Sequence, residues 1–261
     1  MIFDSTESPY FSCVVNRHEN KWRSIPKAPF GGIVYHQDHE TDSELVTNTI
    51  RNIAFDQGID EISIISSAEI YLNTLFLKNV RPKYIDVNNH LNLSVDYWDR
   101  LHKMERRKLN RCISEGLVFR HLKHDQAQQV YHFIKECRQK KNVDINISEY
   151  NFLKTLDTFP KHYQLFGIFH NDKLIAATVA VKVNQQVVYN YLPASDILFN
   201  HLSPMVFLIK ELHHYYQQRQ YQIIDLGISS IKGVTQEGLL KFKTRIGAFS
   251  TEKPTYNWVI H

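Results

Sequence analysis

Polar side chains that could transfer a proton or stabilise negative charge occur in the last third of the chain. Tyr189 and Tyr191 lie two positions apart on a predicted strand and share a face, so a hydroxyl there could protonate a departing thiolate or alkoxide. Asp225 lies near the end of an apolar strand, where a carboxylate could act as a base or orient one. Lys243 follows in a predicted helix, and its ammonium could neutralise a phosphate or an oxyanion.

Each of these residues also has a purely structural explanation. The two tyrosines could pack in the core, and Asp225 could bond the amides of the turn that begins at Gly227. Lys243 could be a solvated helix lysine. The residue types alone leave both explanations open for every position.

A second group of candidates surrounds a predicted helix start. Ser is a favoured N-cap and Pro a favoured first helical residue, so Ser203-Pro204 predicts a helix over 203–219. The unpaired N–H groups at such a start can hold an anion such as a pyrophosphate. The binding residues that we expect here are Asn200, His201, Ser203 and Met205. The alternative is an ordinary amphipathic helix with a good cap.

Three further patterns could bind polar groups. Ser229 and Ser230 could contact a substrate or serve a turn. Arg107 lies in a basic helix and shares a face with Arg111, which could clamp phosphates or simply be solvated. Phe30 precedes two glycines, which could form a loop that faces a cleft or a tight entry to a strand.

Composition narrows the classes of protein. The 261 residues are 43% hydrophobic and 12% aromatic, which predicts a packed core, and the net charge of +4 suits phosphate-bearing ligands without requiring nucleic acid. No apolar run reaches the roughly 18 residues of a membrane span. The three cysteines are scattered, which favours a reducing, cytoplasmic location. No metal site is expected, because neither the cysteines nor the 14 histidines show zinc-ligand spacing.

The second half of the chain has the predicted element order helix, β-α-α-β-β-β-α-β-α-β. Periodicity and turn residues predict strands at 117–122, 163–170, 173–183, 186–192, 222–228 and 255–260, and helices at 98–115, 125–141, 148–156, 203–219 and 237–246. The crossover helix predicts that strands 186–192 and 222–228 are parallel. Ligands favour sites where sheet connectivity changes in this way.

The first half has a shorter version of this order. Its predicted elements are strand 29–36, helix 42–57, strand 61–67, helix 68–78 and one or two strands within 84–95. We therefore predict a shortened domain over residues 1–97 and a second domain over 98–261 that carries the active cleft.

This element order, together with the sequence motifs along it, resembles the GNAT-type N-acyltransferase fold, and in particular the FemAB-like branch of that superfamily. The matching stretches are ERRKLNRCISEGL, KLIAATVAV, YNYLPAS followed by LSPMVFLIKEL, IIDLGISS and FKTRIGA, with PFGGI and SAEIY in the first half. The resemblance implies an α+β or α/β fold class with two tandem GNAT-like halves. Each half would be a mixed twisted sheet flanked by helices, with the first half shortened.

The resemblance also implies a function. It indicates transfer of an acyl or aminoacyl group from acyl-CoA or aminoacyl-tRNA to an amine of a sugar, peptide or cell-envelope precursor. No tightly bound cofactor, no DNA and no membrane span are expected, whereas tRNA is a partner if it carries the donor. Tyr191, Asp225 and Lys243 would be catalytic, and substrate would contact Tyr189, Ser229, Ser230, Phe30 and Arg107. The loop before Pro204 lacks glycine, which favours the alternative of a catalytically inactive GNAT-like protein that binds a ligand. The basic helix around residues 103–111 favours the alternative that such a protein binds RNA.

Overall fold

The computed structural model describes residues 2–3, 9–25, 31–35, 43–71, 77 and 80–260. The chain forms two compact units, each made of segments that are not contiguous in sequence. Unit 1 comprises Met1–Asn88, Ile228–Glu237 and Ser250–His261, and unit 2 comprises Asn89–Gly227 and Gly238–Phe249. The predicted boundary between residues 97 and 98 divides two repeats of one element order. The division into compact units does not test that repeat, so the boundary stays a prediction.

The described elements are sixteen strands, seven α-helices and two short 3₁₀ segments. The strands are β1 (Ile2–Phe3), β2 (Pro9–Cys13), β3 (Val15–His18), β4 (Lys21–Ser24), β5 (Ile33–Tyr35), β6 (Glu61–Ile65), β7 (Pro82–Asn92), β8 (Val118–Leu122), β9 (Tyr163–His170), β10 (Lys173–Lys182), β11 (Val187–Asn190), β12 (Ala194–Ser195), β13 (Ile223–Ile228), β14 (Ser230–Ile231), β15 (Val234–Thr235) and β16 (Phe249–Val259). The α-helices are α1 (Ser43–Asp56), α2 (Tyr97–Arg100), α3 (Lys103–Ser114), α4 (Ala127–Gln139), α5 (Glu149–Thr158), α6 (Pro204–Gln217) and α7 (Glu237–Arg245), and the 3₁₀ segments are His124–Gln126 and Ile197–Leu202.

The sheet of unit 2 has the order β13-β11-β10-β9-β8, with β12 added to β10. Strands β8 to β11 are antiparallel neighbours, and β11 pairs with β13 in parallel after the crossover through α6. That parallel pairing, which the sequence predicted, runs from Val187 opposite Ile223 to Tyr189 opposite Asp225. Beyond it the backbone N–H of Tyr191 donates to Val179 O at 2.8 Å, which continues the pairing of β11 with β10 in the same register.

Helices cover both faces of this sheet. Helices α3 and α6 pack on one face and α4 and α5 pack on the other. Along β10, Ala176 and Ala180 contact the α6 side, whereas Ala177 and Val179 contact the α4 side, as the alternation of strand side chains requires. The position of a residue along a strand therefore decides which helices its side chain meets.

Unit 1 contains a three-stranded sheet, β1-β2-β5, a run of strands β3-β4-β6-β16 and the hairpin β14-β15. Helix α1 packs its apolar residues against these strands. The glycines that precede β5 permit a close approach of backbones: Gly32 has φ +101°, and a Cβ there would lie 3.0 Å from Ser66 Cα. Phe30, a predicted binding residue, lies outside the described residues.

Two predictions about helices are wrong. The helix predicted over 98–115 is two helices, because Leu101 is buried in an extended conformation and His102 starts α3 by accepting a bond from the N–H of Met104. Ser203 is not a side-chain cap of α6, since it has φ +54° and its hydroxyl points back to Asn200 O at 3.5 Å. Pro204 is the first residue of α6, as predicted.

Two further ranges differ from the predictions. The strand predicted over 255–260 begins at Phe249. The prediction began after Pro254 because proline is uncommon inside strands. The described residues 68–71 of the helix predicted over 68–78 form a turn, and most of its remainder lies outside the described residues. Among the described residues, no helix is long and apolar enough to cross a membrane.

Candidate active site

Three side chains surround Gly227 near the end of β13. Its N–H donates to Asp225 Oδ1 at 2.8 Å, and its carbonyl accepts a bond from Lys243 Nζ at 2.8 Å. The ring of Tyr189 covers the same residue, because a Cβ built on Gly227 would lie 3.5 Å from Tyr189 Oη. The structure thus brings together Tyr189, Asp225 and Lys243 within unit 2, and Asp225 does bond a loop amide, as its structural alternative stated.

The backbone conformation of Gly227 holds this arrangement. Its φ of +75° lies in the left-handed region, which costs a residue with a Cβ about 1–2 kcal/mol. We expect Gly227→Ala to lower the free energy of unfolding by that amount in urea titrations. Gly238→Ala is the matched control, because a Cβ there meets nothing within 4 Å and α7 continues through it. A Gly227→Ala protein as stable as the wild type would contradict this expectation.

Strand β7 lies beside β13 and is antiparallel to it. Two backbone bonds show the direction: Leu93 N donates to Gln222 O at 2.7 Å, and Ser229 N donates to Val87 O at 2.7 Å. As residue numbers rise along β7, those of their partners fall along β13, which defines antiparallel pairing. Directly opposite residues in such a pair share a face.

His90 joins the site through this pairing. Leu91 and Leu93 of this segment pack in the same core as Ile224 and Leu226, on the face that α3 and α6 cover. Because strand side chains alternate, His90 and Asp225 both lie on the other face of the sheet, and the Asp225 carboxylate acts on the pKa of His90. The Nδ1 atom of His90 is buried and has no hydrogen-bond partner among the described residues, while its ring stacks on Phe249 with centroids 5.8 Å apart. Sequence reasoning missed His90 because no local pattern links it to β13.

Burial sets the protonation states of these side chains. It lowers the pKa of Lys243 to about 8, against the opposing effect of the Asp225 carboxylate. It also lowers the pKa of His90, again opposed by Asp225, so the imidazole is neutral at neutral pH. Burial raises the pKa of both Tyr189 and Tyr191, so their hydroxyls stay protonated. The group therefore contains a neutral base, proton donors and a cation.

Tyr191 lies beside this group on the α4 side of the sheet. Its ring is 5.9 Å from that of Tyr189, and it packs against the core that α4 and α5 form. Arg138, in the last turn of α4, is a second residue that sequence reasoning missed. Nothing in the sequence distinguishes it from the other basic residues near the end of that helix.

The residues predicted to bind the donor lie before and at the start of α6. Asn200 and His201 are exposed in the 3₁₀ segment, and Met205 packs against the core on the α3 and α6 side. Arg111 of the basic helix reaches this segment, donating from Nη1 to His201 O at 3.4 Å. Arg107, one turn earlier, is exposed.

The two predicted serines belong to unit 1 and are buried. The hydroxyl of Ser230 donates to Asp86 Oδ1 at 2.6 Å and accepts a bond from Val87 N at 2.8 Å. Ser229 bonds through its backbone to Val87 O. The substrate contacts predicted for both serines stay predictions. No group of three or more His, Cys, Asp or Glu side chains within the described part of the chain is placed to hold a metal ion.

Residues 100–238 match the family described as the acetyltransferase (GNAT) domain. The match spans more than half of the 261 residues. The chain therefore belongs to the GNAT family, and the predicted fold class, a mixed sheet flanked by helices, is confirmed.

Solved structures share this fold at low sequence identity. FemX is 10% identical with a TM-score of 0.65, covering 96% of this chain and 88% of its own. The C-terminal domain of a candidate lysylphosphatidylglycerol synthetase from Agrobacterium fabrum is 12% identical with a TM-score of 0.66, covering 100% and 83%. L-PGS from Bacillus licheniformis is 9% identical with a TM-score of 0.64, covering 97% and 82%. The likeness to FemX shows a shared fold. No curated protein matches the chain.

Proposed function

We propose that this chain is an active acyltransferase that moves an acyl or aminoacyl group onto an amine. One observation carries the proposal: Asp225, Lys243 and Tyr189 converge on Gly227, within or just beyond the residues 100–238 that match the GNAT domain, and the Asp225 carboxylate acts on His90. A neutral imidazole beside a carboxylate can accept a proton, and a buried ammonium can stabilise developing negative charge. Acyl transfer to an amine needs both functions.

In the proposed reaction, the nitrogen of the acceptor amine attacks the carbonyl carbon of the donor and a C–N bond forms. His90 takes the proton that the amine loses, and the Asp225 carboxylate stabilises the imidazolium. The ammonium of Lys243 stabilises the oxyanion. When the C–S or C–O bond to the leaving group breaks, the hydroxyl of Tyr191 supplies a proton to the departing thiolate or alkoxide.

The donor is proposed to be an acyl-CoA or an aminoacyl-tRNA, with its phosphates near Asn200, His201 and Ser203 at the start of α6. Arg111 lies against this segment and adds positive charge. The acceptor is proposed to be an amine on a sugar, peptide or cell-envelope precursor. The fold likeness to a candidate lysylphosphatidylglycerol synthetase domain is the reason to include the lysyl group among the acyl groups tested.

The test is a matrix of donors and acceptors read by mass spectrometry. The full chain is incubated with acetyl-CoA, longer acyl-CoAs or charged tRNA and with amino sugars, peptides or aminated envelope precursors. We expect one pairing to give an acceptor heavier by the acyl mass, with stoichiometric release of free CoA or uncharged tRNA. Saturable donor binding without transfer to any acceptor would favour the alternative, a GNAT-like protein that only binds its ligand.

Replacing His90 should remove the acid limb of the pH profile. Since the pKa of His90 lies below the ordinary histidine value of 6.5, we expect kcat/KM of the wild type to rise with pH through that lower pKa. His90→Gln should lower kcat/KM about 10²–10⁴-fold and make it independent of pH in this range. The readout is initial rate from pH 5 to 8.

His170→Gln is the control, since His170 is also a half-buried strand histidine beside a phenylalanine, with its ring 6.3 Å from that of Phe199. It should keep the wild-type profile. An unchanged acid limb in His90→Gln would exclude His90 as the base.

A further inference from the structure

Arg138, in the last turn of α4, has a side-chain donor that no described residue accepts. Its Nε atom is buried, yet it has no hydrogen-bond partner among the described residues. In that part of the chain no carboxylate forms an ion pair with it, whereas Arg120, on β8, pairs with Asp172 at 2.8 Å. A buried donor without a partner costs about 1–3 kcal/mol, so an unpaired arginine is a feature that needs a reason.

The position of Arg138 relates it to the candidate site. Its neighbour Cys137 packs in the same core as Tyr191, on the α4 side of the sheet. Burial lowers the pKa of Arg138, and the phenols of Tyr189 and Tyr191 oppose that shift, which requires them to lie near the guanidinium. Tyr189 in turn lies opposite Asp225 in the parallel register. Arg138 therefore faces the same side of the sheet as the catalytic group.

We propose that Arg138 binds an oxyanion, a carboxylate or a phosphate, carried by the acceptor. The planar guanidinium presents paired N–H donors that match either group, and the tyrosine hydroxyls beside it can donate to the same oxygens. The ligand would supply the partner that buried Nε lacks. This assignment rests on the proposed acyl transfer, since it defines which amines are accepted: those bearing an anion near the reacting nitrogen.

The acceptor is a better source of this anion than the donor. Helix α6, whose start is the proposed site for the donor phosphates, packs on the opposite face of the sheet from α4. The donor phosphates assigned to residues 200–203 already have Arg111 beside them. We therefore assign the anion at Arg138 to the acceptor, although Lys140, two residues further along the chain, reaches Asp196 just before the donor segment at 3.5 Å.

Nuclear magnetic resonance of arginine Nε groups tests the site without any turnover. The full chain is labelled with ¹⁵Nε-arginine, and the resonance missing from Arg138→Gln identifies Arg138. Sodium phosphate and sodium acetate are then titrated at constant ionic strength set with sodium chloride. We expect a saturable shift of the Arg138 resonance with at least one oxyanion. Phosphate alone would indicate a phosphorylated acceptor, and acetate alone a carboxylated one.

Arg120 is the matched control, because it is already paired with Asp172 and should show no saturable shift. Its resonance is assigned with Arg120→Gln. An Arg138 resonance that does not respond, or that follows Arg120 throughout the titration, would overturn the proposal.

A second measurement separates this proposal from the proposed function. If the anion binds at Arg138 but no acyl group is ever transferred, the anion site stands and the acyltransferase proposal fails. In an active preparation, Arg138→Lys keeps a charge but loses the planar pair of donors. We expect it to raise the acceptor KM by about tenfold, the equivalent of one lost charged hydrogen bond, with the donor KM unchanged. A rise in the donor KM instead would overturn the assignment to the acceptor.

Discussion

Asp225→Asn should lower kcat/KM for acyl transfer by about 10²–10⁴-fold, the range for loss of general acid–base assistance. The asparagine amide has nearly the same shape and its oxygen can still accept the bond from Gly227 N–H, which the carboxylate takes at 2.8 Å. What is lost is the negative charge. The imidazolium that forms at His90 and the ammonium of Lys243 then lose the stabilisation that the Asp225 carboxylate gives them. Initial rates with the pairing found in the donor and acceptor matrix measure the effect.

Asp86→Asn is the matched control for this variant. Asp86 is also a buried carboxylate that accepts a glycine N–H, from Gly233 at 3.0 Å, but it lies in unit 1. Both variants should unfold at a lower temperature than the wild type, whereas only Asp225→Asn should lose turnover. Equal losses of activity in the two proteins would mean that a general loss of stability, and not the Asp225 charge, explains the result.

Lys243→Met should lower kcat about 10²–10³-fold, the effect of losing one hydrogen-bond donor to an oxyanion. It should also abolish the alkaline limb of the pH profile. Only the ammonium form of Lys243 can stabilise the oxyanion, and burial lowers the pKa of Lys243 to about 8. The wild-type rate should therefore fall as pH rises through that value. The variant should have a low rate that no longer falls there, measured from pH 7 to 9.5.

The same pKa predicts a stability effect of known sign. The pKa of Lys243 is about 8 in the folded chain and 10.5 as the ordinary value, so between these pH values the unfolded chain holds a proton that the folded chain has lost. Stability then rises with pH across this window relative to Lys243→Met, by about 3 kcal/mol in total. Lys241→Met is the control, since Lys241 is exposed on the same helix and should show no such difference. A difference of the opposite sign would mean that burial does not shift Lys243 downward.

Much of the site could be predicted because its parts follow regular local patterns. Tyr189 and Tyr191 share a face by strand alternation, and the apolar stripe of α6 marks the crossover that makes β11 and β13 parallel. Asp225 and Lys243 each follow closely after apolar residues in the sequence. These relations hold between residues that are near in sequence, so the periodicity of the side chains reveals them.

Other parts of the site depend on contacts across long stretches of chain. Ser203 has the residue type of a cap but lies at φ +54° and its side chain makes no capping hydrogen bond. His90 and Asp225 are 135 positions apart in numbering (225 − 90) and are brought together only by the pairing of β7 with β13. No local propensity specifies which strands pair.

The amino-acid sequence by itself determined the order of most helices and strands in the second half, the parallel crossover and three of the side chains around Gly227. Those properties follow from side-chain periodicity and turn chemistry, which act over a few residues. Tertiary structure alone decided that His90 joins the group and that the Nε atom of Arg138 is buried without a partner among the described residues. Burial and unpaired donors are properties of the packed chain, because the atoms that exclude water from one residue come from segments far away in sequence.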